Sequence, residues 1–348
     1  MSGETTIIEF PGLDLGPWTL DKFLVKDLFG KFSIAWYGAI ICFAMILACA
    51  IILRNAIKKE KMNGDSFLDY FIFAIPIGVI GARAMYVLAR LDKYETFSEM
   101  IAIWEGGLAI YGGVIAGAIA IFAVAKVKKQ KVLAVYDAII PGLLIAQSIG
   151  RWGNFVNGEA HGAEEIGCSL PWAMSVDGGP LVHPTFLYES IITFVGFLLA
   201  MFVVYRFKKV NGQVFAFYLV WYGIGRTIVE GLRGDSLWLV EGKLRLAQCI
   251  GLASALAGIA LFVILSLYGK PRELLEEDDG KEKADDKDEA EKADSEEKDE
   301  KEEKEPSEEK DEKSKKKEKK TKKEKKAEEA VEEPAEEKAE EEKNGSEN

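Results

Sequence analysis

The chain has 348 residues, 49% of them hydrophobic, and a formal net charge of −12. Residues 1–270 hold 23 Lys/Arg against 21 Asp/Glu, whereas residues 271–348 hold 21 against 35, so the acidity belongs to the tail. A near-neutral apolar body excludes a basic nucleic-acid binder, and four cysteines without a CxxC pair offer no metal-like cluster.

Residues 1–32 contain Pro11 and Pro17 and read as an amphipathic or irregular lead-in near a membrane interface, with Trp18, Phe23 and Phe29 as anchors. The start, MSGETTIIEF, is acidic and does not resemble a cleavable signal peptide. Residues 34–53 form the first clear span, since twenty apolar residues at 1.5 Å rise cover the roughly 30 Å hydrocarbon core. A second span at 67–89 carries Arg83 well inside; a charge at that depth is expected to face the protein interior, towards the third and fourth spans. The Gly-rich run from Trp104 to Gly113 feeds a third span at 107–125. A fourth at 132–149 contains Asp137 and Pro141. Residues 163–182 read as an exposed loop. The fifth span begins near His183 and ends near Tyr205, the sixth covers 213–231 and the seventh 246–268.

The loops after spans one, three and five are basic, which the positive-inside rule places in the cytoplasm. The expected architecture is therefore an all-α, polytopic membrane protein with seven transmembrane helices, N-terminus outside and C-terminus inside. It divides into an interfacial segment (1–32), a membrane domain (33–269) and a Lys/Glu-rich cytoplasmic tail (270–348). The tail lacks the apolar residues for a core and is expected to be disordered and dispensable.

The polar run Arg151–Gly162 stands between apolar segments and reads as a Gly-rich loop. Arg151 offers a planar fork for phosphate or carboxylate oxygens. Asn154 and Asn157 donate and accept, and Glu159 can orient an arginine or accept a proton. Arg226 and Glu230 are four apart and share a helix face, either as a buried ion pair or as part of a phosphate site with Arg233. His183 precedes a proline at a helix start, where a capping role competes with a functional one. No P-loop, nucleophile elbow or HExxH motif is present. Any nucleophile then belongs to a substrate. A secondary transporter or a membrane scaffold are the competing classes. The first lacks convincing repeats, and the second leaves the buried charges without a role.

The run Arg151-x-Gly153-Asn154-Phe155-x-Asn157-x-Glu159-x-x-Gly162 resembles the signature of the prolipoprotein diacylglyceryl transferases. Trp36-Tyr37-Gly38, His183-Pro184-Thr185 with Tyr188-Glu189, and Gly223 to Arg233 agree with it. The resemblance covers about residues 10–268. It implies transfer of a diacylglyceryl group from phosphatidylglycerol to the lipobox cysteine of preprolipoproteins, with release of glycerol 1-phosphate. It further implies a monomer among membrane lipids of the bacterial cytoplasmic membrane, without a cofactor or metal, its site facing the outer leaflet. Catalytic roles fall to Arg151, Arg226, Tyr111 and Glu159. Substrate contacts fall to Arg151, Asn154, Asn157, Gly162, Arg233, Arg83, Tyr37, His183 and Glu230. Many relatives carry a histidine, proposed as the base, at the position matched to Tyr111; a phenol of ordinary pKa near 10 does not carry that role over.

Overall fold

A computed structural model describes residues 4–28, 32–91, 94, 96–103, 106–240 and 243–271. The expected anchor Phe29, the loop residues Trp104 and Glu105, and tail residues 272–348 lie outside them.

Among the described residues six helices are long and apolar enough to cross a membrane, and the protein is a polytopic helical membrane protein. They are α1 (Trp36–Lys58), α2 (Gly64–Leu88), α4 (Ile110–Val127), α5 (Val132–Asn157), α6 (Thr185–Leu198, extended by a π-helical turn at Leu199–Val204 and the short α7, Tyr205–Phe207) and α9 (Leu246–Tyr268). α3 (Phe97–Ile101) is a single capped turn. The sixth expected span is α8 (Gln213–Glu230), less apolar than the others because Gln213, Arg226, Glu230 and five aromatic residues share its 18 residues. Across the bundle, α5 is the most buried of the six long apolar helices.

The all-α expectation needs correction. Residues 5–35 form strands: β1 (Thr5–Phe10), β2 (Leu15–Asp21), β3 (Phe23–Leu28) and β4 (Phe32–Ala35). β1 pairs antiparallel with β2 and with β5 (Ser175–Val176), and a third small ribbon joins β6 (Trp238–Val240) to β7 (Leu244–Arg245). Burial alternates along β1, so Thr6, Ile8 and Phe10 face inward. Ile8 and Phe10 pack with Met174, Val182 and Phe186. Residues 163–182 are accordingly not a plain exposed loop: Ala163, Ala173, Met174, Ser175 and Val182 are buried.

Two polar devices hold the end of the bundle that lies farthest along α5 from its polar run. Pro141 has no N–H, which frees the carbonyl of Asp137 one turn earlier; Tyr205 donates its hydroxyl to that oxygen at 2.7 Å. The Asp137 carboxylate accepts the backbone N–H of Gly212 (2.6 Å) and Phe215 (2.8 Å), capping α8 from another helix. Lys208 balances it, reaching Asp137 at 2.8 Å and Glu60 at 2.7 Å, all three side chains being buried. The α1 end, the α5 start and the α8 start are thereby fastened together.

α2 and α4 approach backbone to backbone. A Cβ on Gly112 would stand 2.3 Å from the Gly81 carbonyl oxygen, and one on Gly81 would stand 2.7 Å from that of Gly112. Gly112→Val is therefore expected to cost about 1–3 kcal/mol of stability, read as a lower thermal midpoint in detergent. Gly38→Ala, whose methyl meets nothing within 4 Å, is expected to leave that midpoint unchanged.

Candidate active site

The polar run is not a loop from its first glycine. α5 continues to Asn157, so Arg151, Asn154 and Asn157 sit on its last two turns. Gly153 lies within this helix, and its lack of a side chain makes room for Tyr37 of α1, whose ring carbon Cδ2 is 2.7 Å from where a Cβ would be. The helix ends at Gly158, which takes the left-handed conformation (φ +63°) that glycine adopts without penalty. A side chain there would also strike Thr6 Cγ2 at 2.4 Å.

Past Gly158 the chain forms a narrow ribbon between two other elements. Gly162 donates its N–H to the His183 carbonyl (2.9 Å), and Ala163 donates to the Leu232 carbonyl (2.8 Å). Gly162 and Arg233 form an antiparallel bridge, and Thr185 Oγ1 donates to the Ala160 carbonyl at 2.6 Å. Gly162 admits no side chain, since its Cβ would lie 2.8 Å from His183 N. This ribbon draws the end of α5, the start of α6 and the end of α8 to one place.

At that place one buried carboxylate is shared by three arginines. Glu189 Oε2 pairs with Arg151 Nη2. Glu189 Oε1 accepts from Arg226 Nη1 at 2.6 Å and from Arg233 Nη1 at 3.1 Å. Arg226 Nη2 also pairs with Glu230 Oε2 at 2.6 Å, which is the expected four-residue pair on α8. Arg233 is held further by Asp235, through Nε at 2.9 Å and Nη2 at 2.6 Å. Arg245 donates to the carbonyls of Glu230 and Arg233 while lying over the Trp238 ring. Side-chain exposure falls from 25% at Arg151 to 16% at Arg226 and 9% at Arg233, so Arg151 is the guanidinium most open to a ligand.

The other expected residues take different places. Glu159 engages carboxamides, not an arginine: Oε1 accepts from Asn154 Nδ2 (3.0 Å) and Asn157 Nδ2 (3.3 Å). Asn154 in turn presents Oδ1 to Arg151 Nη1 at 3.5 Å, linking Glu159 to the cluster. Tyr111, near the start of α4, places its phenol beside Arg226, with Tyr222 and Glu230 next to it. The His183 ring bonds the Tyr188 hydroxyl at 3.2 Å, which also accepts from Trp172 Nε1 at 2.8 Å. Arg83 is buried in the interior, and its charge meets the start of the expected third span at Gly107 and the segment before it. Its guanidinium donates to the carbonyls of Glu99 (2.7 Å), Met100 (2.9 Å) and Gly107 (3.1 Å), and also to Gly106. It organises the segment leading into α4 and has no described contact with the three arginines.

A family model described as prolipoprotein diacylglyceryl transferase matches residues 24–264. The chain belongs to that family. The phosphatidylglycerol–prolipoprotein diacylglyceryl transferase of Finegoldia magna is 43% identical over 236 residues, covering 68% of this chain and 92% of that protein. The enzyme of the same name from Clostridioides difficile is 44% identical over 244 residues, covering 70% of this chain and 95% of its own length. Transferase 1 of Clostridium perfringens is 40% identical over 251 residues, covering 70% and 94%.

In this family member, the residue that unites the site is Glu189, which the sequence reading quoted within a motif without assigning it a role. A carboxylate one turn into an apolar helix is the available signal. Asp235 and Arg245 were missed because nothing in their own neighbourhood marks them. Glu189→Gln keeps the shape but leaves three guanidinium groups without their shared anion, and breaking a buried pair costs about 3–5 kcal/mol. We expect at least a hundredfold loss of transfer and a lower thermal midpoint. Asp235→Asn, at a half-exposed carboxylate, is expected to lose tenfold or less in the same assay.

Proposed function

We infer that this chain transfers the diacylglyceryl group of phosphatidylglycerol to the thiol of the lipobox cysteine of preprolipoproteins, releasing glycerol 1-phosphate. The observation that carries the reading is the cluster around Glu189. Arg151, Arg226 and Arg233 converge on Glu189, with Glu230 and Asp235 beside them and Arg245 behind on backbone carbonyls. A phosphodiester monoanion suits the guanidinium that such a cluster leaves at its open side. Arg151, the most exposed of the three arginines on Glu189, is the one to receive it, and Asn154 adds a carboxamide at its side.

The reaction joins the cysteine sulfur to the glyceryl carbon and breaks that carbon's bond to the phosphate oxygen. The electron pair leaves with glycerol phosphate, which gains a second negative charge. Guanidinium groups aimed at those oxygens tighten as that charge develops, and such groups lower the barrier and not merely the dissociation constant. Arg233 is engaged on Asp235 and Glu189, so its part is to hold Glu189 and, through it, Arg151 and Arg226. Tyr111 beside Arg226 serves as a hydrogen-bonding group for the headgroup.

The basic segments after α1, α4 and α7 place their helix ends in the cytoplasm by the positive-inside rule. Counting α8 as the seventh crossing, the arginine cluster then faces the outer leaflet of the bacterial cytoplasmic membrane, and the acidic tail lies inside. α8 crosses as an inner helix, which suits its lower apolarity.

The test is purified protein with phosphatidylglycerol and a lipobox peptide, with a diacylglyceryl thioether identified by mass. A folded preparation that forms none would overturn the reading. Arg151→Ala and Arg226→Ala are each expected to lose two to three decades in rate, the usual effect of losing a donor to a developing anion, about 3 kcal/mol. Lysine at either position is not expected to restore the full rate, because it keeps the charge without the planar fork. Tyr111→Phe is expected to lose roughly tenfold, with the shape of the pH profile unchanged, since losing one hydrogen bond to a charged group costs about 1.5 kcal/mol.

A further inference from the structure

The transfer needs a group to take the proton of the attacking thiol, and the arginine cluster does not provide one. Both oxygens of Glu189 are paired with guanidinium groups. Glu230 is buried against Arg226 and Arg233. Asp235 is held at both oxygens by Arg233. Each is already engaged by guanidinium groups. Tyr111 beside Arg226 offers a phenol, whose ordinary pKa near 10 makes it a hydrogen-bonding group and not a neutral-pH proton acceptor.

Glu159 differs from these three. It is exposed. Both of its hydrogen bonds from Asn154 and Asn157 go to Oε1, and among the described residues nothing bonds Oε2. Its position is nevertheless fixed: Gly158 turns the chain so that the Glu159 N–H returns to the Asn154 carbonyl at 3.0 Å. Asn154 bridges the carboxylate to Arg151. A phosphate on Arg151 therefore has, one carboxamide away, an ordered carboxylate with a free oxygen open to solvent.

We propose that Glu159 is the proton acceptor for the lipobox thiol, acting through Oε2. This rests on the transferase reading above. The sulfur lone pair attacks the glyceryl carbon, and the C–O pair departs to the phosphate oxygen. The S–H proton moves to Oε2 while the S–H electrons stay on sulfur. Sulfur becomes acidic as the S–C bond forms, so a carboxylate suffices to remove the proton within that step. The protonated Glu159 then releases it to water or to the glycerol phosphate dianion. Asn154 and Asn157 hold Oε1 in both states and keep Oε2 directed away from them.

The experiment compares the wild type, Glu159→Gln and His161→Gln from pH 7 to pH 9.5, using the full chain, phosphatidylglycerol vesicles and a lipobox peptide. His161 is the nearby alternative acceptor, because its Nδ1 lies 2.9 Å from the Gly162 carbonyl, an acceptor, which leaves Nε2 with the lone pair in the neutral ring. Glutamine at 159 still accepts from both asparagines, so a purely structural role survives the change. Glu159→Gln is expected to lose about a hundredfold in kcat at pH 7, within the range usual for a general base, with KM for phosphatidylglycerol within threefold of the wild type. Its deficit is expected to shrink at least tenfold by pH 9.5, because a thiol of ordinary pKa near 8.5 then ionises without help. His161→Gln is expected to stay within threefold of the wild type throughout. A loss below fivefold at pH 7, or a deficit that does not change with pH, overturns the proposal. A pH-dependent deficit in His161→Gln alone gives the role to His161. A wild type that forms no thioether would instead overturn the transferase reading itself.

Discussion

The site depends on one carboxylate in a place where water does not neutralise its charge. Glu189 brings together three guanidinium groups, on α5, on α8 and after α8, that would otherwise repel one another at close range. Like charges in a low-dielectric interior cost far more than on a surface. The shared anion makes their approach possible, and the least buried of the three, Arg151, stands at the open end of the cluster. The same logic explains why Arg233 and Arg245 are so fully bonded. They complete the internal balance and so leave the outermost guanidinium available.

The surrounding fold serves that balance. The ribbon from Gly158 to Ala163 joins α6 and α8 through backbone hydrogen bonds, which no side-chain substitution can easily remove. Arg83 works similarly one layer out. Its charge is satisfied by backbone carbonyls of the segment before α4, and Tyr111 follows a few residues later. A buried arginine is thus used once against carboxylates and once, against backbone carbonyls, as a structural staple.

Much of this was legible in the sequence, though unevenly. Apart from α5, which runs on to Asn157 past the expected 149, the long apolar helices were read within about five residues, because their length and hydropathy follow directly from the thickness of a bilayer. The strands of residues 5–35 were not, because Pro11 and Pro17 obscured the alternation of Thr6, Ile8 and Phe10 that β1 displays. The glycines from Gly150 to Gly158 were read as loop punctuation, whereas Gly153 is a contact surface for Tyr37 within a helix. A single sequence does not distinguish a glycine that bends from one that admits a neighbour. The role of Glu189 was hidden for a different reason. It is set by partners 37 to 44 residues away, and spacing rules report only on near neighbours.

α8 is held at both ends by side chains from elsewhere, Asp137 at its first turn and Arg245 at the carbonyl of its last residue, Glu230. A helix pinned in this way is held in place before any ligand arrives. In the proposed reaction, the reorganisation energy of bringing Arg226 to bear on a developing anion is then met during folding and membrane insertion, once, and not in each turnover. On that mechanism the speed of the chemical step is set largely when the chain acquires its structure, and a substitution at the remote Asp137 end is expected to reach the phosphate as lost stiffness.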